Sequence, residues 1–108
     1  MAKPFTLEIS VASVEAALAA ERGGTDRIEL CADLSAGGLT PTPELLRSVR
    51  EKISIPIYSM IRPREGNFVY SAVEYAEMKR SVAAAKEEGM NGVVLGLLRE
   101  DRIGRAHV

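Results

Sequence analysis

The sequence predicts an α/β fold built on a parallel sheet, and three observations carry that prediction. Strand-like and helix-like segments alternate along the 108-residue chain in the order β-α-β-α-β-α-β, which calls for right-handed crossovers between parallel strands. Each helix opens on a capping residue, Ser13, Thr42 or Ser71. The last strand-like run, "GVVLGLL" (92–98), is wholly apolar, the composition of a buried strand.

Taken in order, "FTLEIS" (5–10) has the alternating character of a first strand. "SVEAALAAERGG" (13–24) is an alanine-rich helix with Ser13 as N-cap and Gly23-Gly24 as its stop. "RIELC" (27–31) is the second strand, and "ADLSAGGLTPT" a turn-rich stretch after it. The second helix, "PELLRSVREK", begins at Pro43 behind Thr42 and puts Leu45, Leu46 and Val49 on one face. "SIPIYSMIR" (54–62) is the third strand, with Pro56 near its start, where a missing N–H donor is tolerated. "SAVEYAEMKRSVAAAKEEG" (71–89) is the clearest helix. Ser71 and Glu74 form a capping box, Tyr75, Met78, Val82 and Ala85 recur at helical spacing, and Gly89 ends it. The polar tail "REDRIGRAHV" (99–108) stands where a fourth helix is expected. The economical reading is one incomplete domain, residues 1–108, forming the front part of something longer.

Composition narrows the function. The chain is 46% hydrophobic and 27% charged with a net charge of -1, so neither nucleic acid nor an anionic membrane is an expected partner. No apolar run approaches the roughly 18 residues of a membrane span, and the N-terminus lacks a signal-peptide core; a cytoplasmic location is the expectation. A single cysteine excludes an internal disulfide and any C-x-x-C site.

Ligands of parallel α/β folds bind where the βα loops gather, at the C-terminal strand ends. Strand alternation puts Leu7, Ile9, Ile28, Leu30, Ile57 and Ile61 on the side expected to pack against helices. Glu8, Ser10, Glu29, Cys31, Met60 and Arg62 share the other side. An unpaired buried carboxylate costs several kcal/mol, so Glu8 and Glu29 need partners or a task, and Arg62 is the expected partner. Two carboxylates, an arginine and a thiol converging from three strands point to a polar site with Glu8 or Glu29 as acid/base. Arg62 and Arg64 flank Pro63 just beyond a strand end and suit a phosphate or carboxylate.

Cys31 has three readings. As a nucleophile it wants a base, and the only histidine, His107, is in the tail. As a soft metal ligand it suits Cu(I), with Met60 as a thioether partner. As a packed free thiol it needs no further task, and the residues by themselves favour this.

"RIELC", "GGLTP" and "MIRPR", in this order, resemble the N-terminal part of the CutC family, the copper homeostasis proteins. The resemblance implies a TIM-type (β/α)8 barrel, here truncated to about half, with strands one to four and helices one to three. It implies cytoplasmic Cu(I) binding or trafficking. The family's polar positions at the barrel top fall on Glu8, Glu29, Arg62 and Arg64, and its cysteine on Cys31. Some relatives carry a second cysteine where this chain has Ser10, and "RPRGGDF" is here "RPREGNF", with Glu65 and Asn67 replacing Gly and Asp. Three expectations follow: a copper protein using Cys31 and Met60; a barrel enzyme or binder of a small anionic metabolite using Glu8, Glu29, Arg62 and Arg64; or an inert fragment. Open strand edges further predict pairing with another copy.

Overall fold

The computed structural model of the chain describes residues 4–98. Its strands are β1 (Glu8–Val11), β2 (Arg27–Leu30), β3 (Ile57–Met60) and β4 (Gly92–Val94). Between them lie α1 (Val14–Arg22), α2 (Pro43–Lys52) and α3 (Ala72–Glu87). All strand pairings are parallel, and the spatial order β1-β2-β3-β4 is the chain order. Sequential right-handed crossovers place every helix on one face of the sheet. That is the layout of a sector of a (β/α) barrel; a doubly wound sheet would carry helices on both faces.

The three helix starts form as their sequences dictate. Ser13 Oγ accepts from the Ala16 N–H at 3.1 Å, and Thr42 Oγ1 from the Leu45 N–H at 3.2 Å. Ser71 and Glu74 exchange both bonds of the capping box, at 3.1 and 2.9 Å. The first helix terminates as Gly24 takes a φ of +87°, a conformation open to glycine.

Ile28, Leu30 and Ile57 are buried against Ala17, Ala20, Leu46, Val49 and Ala85, making one core between sheet and helices. Ile61 is buried on the same side of the sheet. Leu7 and Ile9 depart from expectation, at 41% and 39% exposed. Both lie at the open edge of the sheet, where α1 packs against the first strand from one side. Tyr75, expected on the buried face of α3, is 49% exposed and stacks under Lys79 instead.

The N-terminal ends of the strands are stitched by side chains onto backbone. Asn91 Oδ1 accepts from the Ile57 N–H at 2.9 Å and from Arg50 Nη1 at 3.0 Å. Arg50 Nη2 also donates to the Ile53 and Ile55 carbonyls. One Glu21 oxygen accepts from the N–H groups of Ser54 and Ile55. Such fastening at the bottom of a barrel sector is the stability end of the fold; the opposite end carries the βα loops. Among the described residues no helix is long and apolar enough to cross a membrane. His107 lies outside the described residues.

Candidate functional site

The helix-free face of the sheet carries its polar side chains in rows set by the strand register. Glu8 pairs with Arg27 across β1 and β2, and Arg27 Nε donates to Glu8 Oε2 at 2.8 Å. The Arg27 guanidinium lies 4.8 Å from the centre of the Tyr58 ring. Tyr58 in turn needs Gly92 beside it, because a Cβ there would stand 2.6 Å from the ring. The arginine partner of the first strand's glutamate is therefore Arg27, set by register, and not the expected Arg62.

One row higher, Ser10 and Glu29 are register partners, and Ser10 Oγ donates to Glu29 Oε1 at 3.3 Å. The Cys31 thiol donates to the same oxygen at 3.5 Å. Cys31 is fully buried, and burial, reinforced by the Glu29 charge and this hydrogen bond, pushes the thiol up to about 12. At neutral pH it is a protonated donor, which disfavours the nucleophile reading. Beyond it, residues Ala32 and Leu39 close the turn-rich stretch with a pair of backbone hydrogen bonds. This returns Gly38 to the sheet. A Cβ on Gly38 would stand 3.2 Å from Cys31 Sγ and 3.5 Å from Met60 Cε, so both sulfur-bearing side chains press on one point of backbone.

Arg62 leaves β3 and is held by the loops. Its backbone N–H donates to Thr40 Oγ1 at 2.8 Å, while Nη1 donates to the Ala36 carbonyl at 2.9 Å and Nη2 to that of Gly66 at 3.0 Å. Its guanidinium lies 5.2 Å from the Phe68 ring centre. Among the described residues it pairs with no carboxylate, and its buried Nε has no hydrogen-bond partner. The buried Tyr70 hydroxyl is likewise unpartnered; burial raises its pKa, making it a weaker acid, and the nearby Arg62 charge opposes the rise.

Beside Arg62 opens a cavity of about 490 Å³, lined by Gly37, Met60, Ile61, Phe68, Val94, Leu95, Gly96, Leu97 and Leu98 with Arg62 itself. Its volume is that of a small-molecule site. Gly37 is required at its rim: φ is +88°, and a Cβ would come within 2.9 Å of Arg62 Nη1.

Arg64 does something different. Its Nε and Nη2 grip both oxygens of Glu74, at 2.6 and 3.4 Å, and it donates to the carbonyls of Asn67 and Val69 at 2.8 Å each. Its guanidinium also faces the Tyr70 ring at 4.9 Å. Glu74 is thus both capping residue and anchor of the β3–α3 loop. The backbone N–H of Ser71, then Arg64, holds its carboxyl below the usual range. Sequence showed the first role of Glu74; the second depends on the loop bending back over ten residues, for which no local signal exists.

The structure therefore brings Glu29 and Cys31 together, sets Met60 against the same glycine, places Arg62 at the cavity wall and Arg64 in the loop scaffold. Among the described residues no cluster of three or more His, Cys, Asp or Glu side chains could hold a metal ion; the soft donors available are Cys31 and Met60.

Comparison with known proteins adds to this geometry. The profile of the CutC family matches residues 5–103. A human copper homeostasis protein cutC homolog is 50% identical over 100 residues, covering 93% of this chain and 37% of the human protein. A CutC crystal structure from Streptococcus agalactiae superposes with a TM-score of 0.80 at 30% identity, over 90% of this chain and 48% of that one. An N-acetylmannosamine-6-phosphate 2-epimerase from Clostridium perfringens shares the fold alone, with a TM-score of 0.54 at 17% identity, over 85% of this chain and 36% of that one. The chain spans well under half the length of the human relative it matches.

Proposed function

This chain belongs to the CutC family, and on that premise we propose that it serves copper homeostasis by taking Cu(I) in the cytoplasm at Cys31 and Met60. The observation that carries the reading is the convergence of the two sulfur side chains on Gly38. Thiolate and thioether are soft donors matched to Cu(I), and binding displaces the Cys31 proton, which Glu29, already the acceptor of the thiol's hydrogen bond, takes up. Cu(I) is here the cargo, and Glu29, hydrogen-bonded to the thiol, orients it. With Ser10 in the first strand, these 108 residues hold a single thiol, and Cys31 of a second copy is one source of a further thiolate. The test is an anaerobic Cu(I) titration against a competing chelator. The wild-type chain should compete, Met60→Leu should weaken it, and Cys31→Ala should abolish it. Unchanged affinity in Cys31→Ala refutes the site.

A second reading, a binder or enzyme acting on a small anionic metabolite, is favoured by one observation: Arg62 faces a cavity and, among the described residues, has no carboxylate partner. In it Arg62 is the anion contact, Arg64 shapes the loop above, and Glu8 or Glu29 is the acid/base. A thermal-shift screen of anionic metabolites tests it, and stabilisation that survives Arg62→Ala overturns it.

A further inference from the structure

We propose that the cavity beside Arg62 takes a monoanion with an apolar body, of the class of medium-chain or aryl carboxylates. The proposal rests on the anion reading above and names its ligand class. Apart from Arg62 and glycine backbone, the wall consists of Met60, Ile61, Phe68, Val94, Leu95 and neighbouring leucines. None of these side chains can hydrogen-bond a polyol, so a sugar would lose its water contacts without replacement. Among the described residues Arg62 is the only charged side chain on the wall, and it has no counter-ion there.

Arg62 is also prepared in advance. The Ala36 and Gly66 carbonyls hold its guanidinium, and Phe68 supports its face. A ligand meeting this guanidinium meets one fixed positive charge. A phosphate dianion calls for a second cation, and among the described residues Arg64, two positions on, is engaged by Glu74 and by the Asn67 and Val69 carbonyls. One charge beside an apolar volume of about 490 Å³ selects one carboxylate with a hydrocarbon body.

The experiment is calorimetric titration of the full chain with octanoate, 1-octanol, inorganic phosphate and glycerol phosphate, repeated on Arg62→Gln. Octanoate should bind saturably at one site, with 1-octanol about tenfold weaker and Arg62→Gln lowering octanoate affinity by a similar factor. If Arg62→Gln does not fold, the octanoate to octanol ratio on the wild-type chain decides the role of charge. Equal binding of octanoate and octanol overturns the proposal. Arg62-dependent binding of phosphate or glycerol phosphate without octanoate overturns the ligand class and leaves the anion reading standing. No binding of any anion overturns both.

Discussion

Cys31 should resist disulfide exchange in the folded chain far more than burial of a neutral side chain would suggest. Its thiol rises from 9.0 to about 12, first through burial and then through the Glu29 charge. A rise of that size cuts the thiolate fraction near neutral pH by about a thousandfold, and the thiolate is the attacking species. A more basic thiolate is also a better nucleophile; with a Brønsted slope of about 0.45 it regains roughly twentyfold. The net expectation is a rate about fiftyfold lower than in the unfolded chain, before steric exclusion adds to it. The assay is reaction with an aromatic disulfide reagent at about pH 7.5, in buffer and in denaturant. Glu29→Gln removes the second cause of the shift, the charge, but not burial, so it should accelerate the folded reaction without reaching the unfolded rate. A folded rate within about tenfold of the unfolded one, or no acceleration in Glu29→Gln, would refute the reasoning.

Three further outcomes are expected. Asn91→Ala strips the acceptor from the Ile57 N–H and from Arg50, and should cost about 1–3 kcal/mol in chemical denaturation, whereas Asn91→Asp should retain most of it; a loss below about 0.5 kcal/mol contradicts this. Glu21, Glu74 and Glu88 all have carboxyls lowered from 4.5, by the Ser54 N–H, the Ser71 N–H and Arg47 respectively. Their contribution is present above the unfolded value and is lost as pH falls through the folded ones, so the melting temperature should drop on acidification below about 4.5 and Glu21→Gln should flatten that limb. Finally, the open edge at β1 with exposed Leu7 and Ile9 should draw copies together. Light scattering should show association that Ile9→Lys weakens, and a stable monomer with a cooperative melt would count against it.

How much of this was legible beforehand follows from the range of each interaction. Ser13, Thr42 and Ser71 bond to an N–H three residues on, so a short window of sequence contains the whole interaction. Parity alone placed Glu29 and Cys31 on one side of the second strand, and the thiol does donate to that carboxylate. Leu7 and Ile9 went astray because their burial needs a covering helix beyond the edge strand, and none is present among the described residues.

By itself, then, the sequence determined the order of strands and helices, the caps, the core-facing side of the second and third strands and the family likeness, because periodicity and capping are local and side-chain alternation is geometric. Tertiary structure decided the partners. Register matched Glu8 with Arg27 and Ser10 with Glu29, each 19 residues apart. Loop closure put the Ala36 carbonyl, 26 residues upstream, on Arg62 and turned Arg64 toward Glu74. Two arginines two residues apart read alike as a clamp. Only the folded loops divide them, because a guanidinium goes to whichever carboxylate or carbonyl the fold brings within reach, leaving one to brace the scaffold and one to face the cavity.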